Sequence, residues 1–145
     1  MKNALFVLIP TILFLFILEY SIDNDNVPNQ VTVAFDKKFP SAMNATWEKT
    51  NYVDWKADFT HNGSAFSSNF TKEGNWIQTS HKIAWEELPA DVISTYRKEL
   101  NAYKIEKIEK TITRKATTYI FDLKKGHKYF TSVINPDGEI VTSRF

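Results

Sequence analysis

Apolar residues recur at every fourth position in two segments of the chain. The first series is Val27, Val31, Phe35 and Phe39, and the second is Leu88, Val92, Tyr96 and Leu100. A spacing of four places side chains along one face of an α-helix, so each series predicts a helix with one buried face. Pro28 and Pro89 stand just inside the starts of these helices, where a missing N–H removes no hydrogen bond.

After each predicted helix the period of the apolar residues changes from four to two. Trp55, Ala57 and Phe59 alternate with polar neighbours in the first half, and Tyr119, Phe121 and Leu123 mostly do so in the second half. This alternation is typical of half-buried β-strands. Glycine-containing turn sequences separate the strands, at residues 61–63, 72–75, 124–126 and 135–138. Each half therefore predicts about four antiparallel strands after its helix.

Residues 105–112 allow two interpretations. Ile105, Ile108 and Ile112 have a spacing compatible with a helix, whereas the β-branched residues 111–113 favour a strand. The corresponding segment of the first half, around Trp47, follows a proline and is too short for a helix. We therefore predict a strand.

These patterns predict an α+β protein built as a tandem pseudo-repeat, in which each unit is one helix packed on a roughly four-stranded antiparallel sheet. The two repeats would cover residues 27–80 and 81–145. A unit of about 60 residues buries too little surface to be stable alone, and residues 80–87 contain no flexible Gly/Pro linker. We therefore expect one domain over residues 27–145, in which the two sheets join or abut.

The beginning of the chain resembles an export signal. Lys2 precedes the uncharged, apolar residues 4–18, and this layout is typical of a secretory signal peptide. At about 1.5 Å per residue the stretch is shorter than the ~30 Å hydrocarbon core of a bilayer. Residues 1–21 therefore predict a signal peptide or, if uncleaved, an N-terminal membrane anchor, and residues 22–26 a polar linker. Either alternative places the folded part outside the cytoplasm, as a periplasmic or secreted protein.

Composition and charge exclude several classes of function. The chain has 145 residues, 18 Lys+Arg against 17 Asp+Glu, and no cysteine. The balanced charge lacks the basic excess of a nucleic-acid-binding protein, so we predict no nucleic-acid partner. The absence of cysteine excludes disulfides, thiolate metal sites and a cysteine nucleophile. Any contact with a membrane would be made through the N-terminal segment alone.

No catalytic constellation stands out among the polar residues. His61 and His127 lie at predicted turns and are expected to be solvated, and with His81 they are not expected to form a metal site. Glu86 and Glu87 precede the second predicted helix, where negative charge stabilises a helix N-terminus. The sequence contains none of the common nucleophile, phosphate-loop or zinc-helix motifs. We therefore predict no catalytic residue, no metal, no cofactor and no enzymatic activity.

The aromatic residues, which make up 14% of the chain, provide the candidate binding surface. We expect a first group to lie in the core: Trp55, Phe59, Phe66, Phe70, Tyr119 and Phe121. The candidates for a binding site are Trp47, Tyr52, Trp76 and Trp85, because exposed Trp and Tyr are enriched at protein interfaces. The alternative is that these rings are only half-buried at a sheet edge or hinge.

Two stretches of the chain resemble a known family. They are the opening stretch, with Val27-Pro28 and Lys38-Phe39-Pro40-Ser41-Ala42, and the segment Gly74-Asn75-Trp76. Together they are similar to the PepSY-like, β-lactamase-inhibitor-like (BLIP-like) domains of bacterial secreted proteins. The resemblance covers residues 27–145 and implies a helix with a four-stranded antiparallel sheet in tandem, an extracytoplasmic location and no catalytic residues.

The function predicted from these observations is a non-enzymatic extracytoplasmic binding module, such as a protein inhibitor. It would present an aromatic-bearing face of a sheet to a protein or peptide partner. The alternative is a small-ligand sensor or carrier in the cell envelope.

Overall fold

The computed structural model describes residues 26–50 and 54–144. The predicted signal peptide or anchor, most of the linker, and Tyr52 lie outside the described residues. Within these two ranges the structure has two short helical segments and eight strands. Their order is α1 (Asn29–Lys38), β1 (Met43–Thr50), β2 (Asp54–His61), β3 (Ser64–Thr71), β4 (Trp76–Lys82), a 3-10 turn (Trp85–Glu87), α2 (Ala90–Thr95) with a following π-helical turn (Tyr96–Leu100), β5 (Lys104–Thr113), β6 (Thr117–Lys125), β7 (Lys128–Ile134) and β8 (Ile140–Arg144). The prediction of a strand at residues 105–112 is confirmed by β5.

All eight strands belong to one antiparallel sheet, and they lie side by side in chain order from β1 to β8. At its centre β4 pairs with β5, where Ser80 lies opposite Thr111 and Lys82 lies opposite Glu109. The sheet therefore continues without a break from the first half of the chain into the second.

The predicted architecture of two repeat units, each with a helix on its own four-stranded sheet, is wrong. In the part of the chain that the structure describes, the β4–β5 pairing merges the eight strands into one sheet, which carries two short helices. The physical reason is that two separate sheets would each leave an additional unpaired edge of N–H and C=O groups, and the continuous sheet pairs both of these edges. Period-two alternation reports which face a strand buries, and it contains no information about which strands are neighbours.

Both helices cover the same face of this sheet. The register places Ser68 opposite Thr79, Thr79 opposite Ile112, and Ile112 opposite Thr117. Because residues opposite each other in antiparallel strands share a face, this row joins the strands under α1 to those under α2. We call this the helix-bearing face and the opposite one the open face.

The helix-bearing face contains two apolar clusters. The α1 cluster consists of Val31, Phe35, Trp55, Ala57, Phe59 and Phe70. The α2 cluster consists of Ile83, Leu88, Val92, Leu100, Ile108, Tyr119, Phe121, Leu123 and Ile134. Five of the six aromatic residues that were predicted to lie in the core belong to these clusters, and the sixth, Phe66, is half-buried beside the first of them.

Candidate functional site

The sequence-predicted site residue Trp47 packs on the helix-bearing face. It lies opposite Ala57 in the β1–β2 pair, and its ring centroid is 5.2 Å from that of Phe35 and 6.4 Å from that of Phe70. Trp47 thus extends the α1 cluster to the edge strand of the sheet.

Trp76 also packs against the α1 cluster, and two contacts fix the position of its ring. The indole Nε1 donates a hydrogen bond of 2.9 Å to Thr79 Oγ1. Lys38 Nζ lies 3.7 Å from the ring centroid, which is a cation–π contact. The side chain is therefore held between the end of α1 and strand β4.

Trp85 packs against the α2 cluster. Its ring packs edge-on against Tyr96 at 5.2 Å, and Tyr96 in turn stacks on Phe121 at 5.9 Å. The Tyr96 hydroxyl donates a 2.6 Å hydrogen bond to the Tyr103 carbonyl, and burial raises the pKa of Tyr96. All three described tryptophan candidates therefore pack against helix-side clusters, Trp47 and Trp76 against one and Trp85 against the other.

A buried polar network connects Trp76 to the centre of the sheet. Ser68 Oγ donates to the Gln78 carbonyl at 3.0 Å, and it lies 2.9 Å from Thr79 Oγ1. Thr79 Oγ1 also accepts the Trp76 indole hydrogen bond. Ser68 and Thr79 are both buried, so these hydroxyls satisfy each other where water is excluded.

Replacing Thr79 by valine should test this network, because valine keeps the shape of threonine but accepts no hydrogen bond. We expect Thr79→Val to lower the free energy of unfolding by about 1–3 kcal/mol, since the Trp76 indole N–H loses its acceptor. Urea unfolding of Thr79→Val, Trp76→Phe and the double variant measures the coupling. The cost of Thr79→Val should fall by roughly 1 kcal/mol in the Trp76→Phe background. Equal costs in both backgrounds would contradict the role given to this bond.

The open face carries two groups of ion-paired side chains. In the first, Lys56 Nζ lies 3.3 Å from Glu48 Oε2 and 3.0 Å from Asp58 Oδ2. Hydrogen bonds to Asp58 and then to Glu48 raise the pKa of Lys56. Because the three residues come from strands β1 and β2, the group is assembled across the pair.

The second group is centred on Lys107. Its Nζ lies 3.1 Å from Glu109 Oε2 and 3.2 Å from Asp122 Oδ2. The hydrogen bond to Glu109 is the largest cause that raises the pKa of Lys107, and the bond to Asp122 adds to it. A bulge in β5 between Ile105 and Lys107 keeps Lys107 opposite Asp122.

A recess of about 470 Å³ lies between the two ion-paired groups. Small side chains from β3 and β4 line it, including Ala65, Ser67 and Ser80, and Ser67 lies opposite Ser80. Charged groups from both sides also line it, Asp58 on β2 and Lys82, Lys107 and Glu109 on β4 and β5. None of the residues that line this recess was among the candidates predicted from the sequence. The sequence indicates this recess only through the small residues of β3 and β4. They lie side by side only in the observed register of the two strands.

His61 is not the solvated turn residue that was predicted, and it shares its environment with His81. His81 stacks on Phe66 with ring centroids 4.4 Å apart, and His61 packs edge-on against the same ring at 5.7 Å. Both Nδ1 atoms are buried without a hydrogen-bond partner in the described part of the chain. Burial, and then the charge of Lys110, lower the pKa of His81. His127 is exposed in a turn, as expected.

Within residues 26–50 and 54–144, no group of three or more His, Asp or Glu side chains could hold a metal ion. In the same ranges no helix has the length and apolar character needed to cross a membrane.

Comparison with known proteins identifies the fold. No family model matches the sequence, and no curated protein matches it. A DUF2874 family protein from Bacteroides ovatus is similar in structure, with a TM-score of 0.77, 18% identity, and coverage of 83% of this chain and 88% of that one. A BLIP-like protein from Bacteroides fragilis is similar with a TM-score of 0.73, 19% identity, and coverage of 81% and 85%.

A third solved structure is described as a candidate periplasmic protein from Bacteroides eggerthii. It has a TM-score of 0.76 and 20% identity, and the match covers 81% of this chain and 88% of that one. At these identities the likeness shows the fold alone. The chain has the fold of the BLIP-like and DUF2874 proteins, which supports the BLIP-like part of the resemblance seen in the sequence.

Proposed function

We propose that this chain is a non-enzymatic binding module of the bacterial cell envelope, and that it binds a protein or peptide partner on the open face of its sheet. The proposal includes an inhibitor-like mode of action, in which the module covers a surface of its partner without chemistry. We also propose that the chain is related to the PepSY-like domains, in addition to having a BLIP-like fold.

The observation that carries the proposal is the recess between the two ion-paired groups. The paired side chains are partly exposed to solvent, and ion pairs in contact with solvent contribute only about 0–1 kcal/mol each to stability. Folding alone therefore does not account for their arrangement around one depression. Pairing holds the long side chains of Lys56 and Lys107 in place, which reduces the conformational entropy lost on binding. A partner segment with matching charges would gain orientation and specificity from these groups.

The proposed site differs from the aromatic face that the sequence indicated. Trp47, Trp76 and Trp85 pack against the helix-side clusters, so their rings do not lie on the open face. Around the recess, the open face presents small and charged side chains instead. Binding there would be dominated by hydrogen bonds and charge pairs around the recess.

The extracytoplasmic location rests on two independent observations. Residues 4–18 form an uncharged apolar stretch after Lys2, which is typical of an export signal. The fold is shared with the candidate periplasmic protein of Bacteroides eggerthii. We propose a periplasmic or secreted module, either released or held by an uncleaved N-terminal segment.

Affinity capture from native envelope extract, followed by mass spectrometry, tests the binding face. One bait is the native protein, and a second carries Ala65→Arg and Lys82→Glu, which block and recharge the recess. A matched control bait carries Val33→Arg and Lys37→Glu on the exposed side of α1, with the same net change in charge. All four positions are exposed, so each variant should fold, and circular dichroism checks this.

We expect a protein that the native and control baits capture, and that the recess variant loses at least tenfold (about 1.4 kcal/mol). Equal capture by all three baits would contradict the open face as the binding surface. If the native bait captures nothing, the proposal of a stable protein partner fails.

A further inference from the structure

A second surface pocket lies at the end of the sheet where the β3–β4 and β5–β6 turns come together. Its volume is about 450 Å³, within the range of small-molecule sites. Trp76 and Ile77 form its apolar part, and Arg114 and Lys115 its basic part. The ion-paired groups of the open face do not line it, so this pocket is independent of the proposed function there.

The apolar part of this pocket is shaped by a β-bulge. Phe70 lies opposite Trp76 and Asn69 lies opposite Gln78, so Ile77 has no residue opposite it in β3. Bulges redirect side chains and are over-represented beside functional sites. The Trp76 ring is fixed by its hydrogen bond to Thr79 and by the Lys38 ammonium. Trp76 and Ile77 therefore form a preorganised apolar surface.

Both charged residues that line this pocket are basic. The residues that line the pocket include no carboxylate. Within the described ranges no Asp or Glu side chain forms an ion pair with Arg114 or Lys115, whereas Lys56, Lys72 and Lys107 are all paired. The guanidinium of Arg114 suits the planar, two-oxygen geometry of a carboxylate.

We propose that this pocket binds a small apolar carboxylate, with its hydrocarbon body against Trp76 and Ile77 and its carboxylate at Arg114 and Lys115. Desolvation of the body against the indole drives the binding. The contact between the carboxylate and the basic residues of the β5–β6 turn fixes the orientation of the ligand. It also distinguishes an acid from a neutral analogue.

Titration of the protein with 4-phenylbutyrate tests the proposal, and the neutral 4-phenylbutanol serves as the matched probe. The readout is the NMR signal of the Trp76 indole N–H, which is assigned among the four tryptophan signals by its absence in Trp76→Phe. We expect the acid to shift this signal in a saturable way, and to bind roughly tenfold more tightly than the alcohol.

Two double variants make the test specific. Arg114→Gln/Lys115→Gln should weaken phenylbutyrate binding roughly tenfold or more and leave phenylbutanol unaffected. Arg97→Gln/Lys128→Gln removes the same charge from exposed positions elsewhere and should change neither. Equal affinities for acid and alcohol, or unchanged binding in the first variant, would overturn the proposal. So would the absence of a saturable Trp76 shift at millimolar acid. Recess variants on the open face should leave this titration unchanged, which keeps the two proposals separable.

Discussion

The variant Phe35→Ala should lose about 3–5 kcal/mol in the free energy of unfolding, the largest effect expected of any substitution considered. Phe35 is only 4% exposed, and its ring contacts those of Trp47, Phe59 and Phe70 at 4.9 to 6.2 Å. These residues belong to β1, β2 and β3, so one side chain attaches α1 to three strands. Alanine would leave a cavity that rigid neighbouring rings cannot fill.

Urea unfolding followed by circular dichroism measures the loss, and Val33→Ala is the control in the same helix. Val33 is 56% exposed, so its truncation should change stability by no more than about 0.5 kcal/mol. A loss below ~1 kcal/mol for Phe35→Ala would mean that α1 contributes little to the packed core. The intermediate variant Phe35→Leu should lie between the native protein and Phe35→Ala.

The sequence was sufficient to predict which segments form helices and which form strands. Steps of four apolar residues located both helical segments, and alternation located the strands around Trp55 and Phe121. Both signals are local, because each depends on the geometry of a single element. The second helical segment changes to a π-helical turn at Tyr96–Leu100, which the pattern of apolar positions did not reveal.

The sequence was insufficient to predict how the strands are ordered. The merging of both halves depends on the pairing of β4 with β5, where the partners are residues such as Ser80 and Thr111. The residue types of these short polar side chains do not indicate which strand is the neighbour of which. The same limit explains the candidate site. Trp47 faces the helices because it lies opposite Ala57, and the recess exists because Ser67 lies opposite Ser80.

The second large effect is expected at Gly74, in the turn between β3 and β4. Gly74 has φ +83°, a left-handed conformation that side chains disfavour. A Cβ at this position would overlap the backbone carbonyl oxygen of Gln30 in the first turn of α1. The side-chain amide of Gln30 also donates a 2.8 Å hydrogen bond to the Lys72 carbonyl. Helix and turn are therefore in direct backbone contact, with no room for a methyl group.

We expect Gly74→Ala to lower the free energy of unfolding by about 2–4 kcal/mol, from the left-handed strain and the overlap together. Gly63→Ala separates the two causes. Gly63 has φ +78°, but a Cβ there would meet nothing within 4 Å, so only the strain of about 1–2 kcal/mol should remain.

Thermal and urea unfolding measure the loss of stability in Gly74→Ala and in Gly63→Ala. The difference between the two losses is the cost of moving the turn away from α1. Gly138 offers a second example, because its Cβ would lie 2.8 Å from the Asp91 carbonyl oxygen in α2. Gly138→Ala should therefore behave like Gly74→Ala and not like Gly63→Ala. If all three variants lose the same stability, the close approach of turn to helix contributes nothing. A larger loss at Gly74 and Gly138 would show that each helix is held by a turn of the sheet as well as by its apolar face.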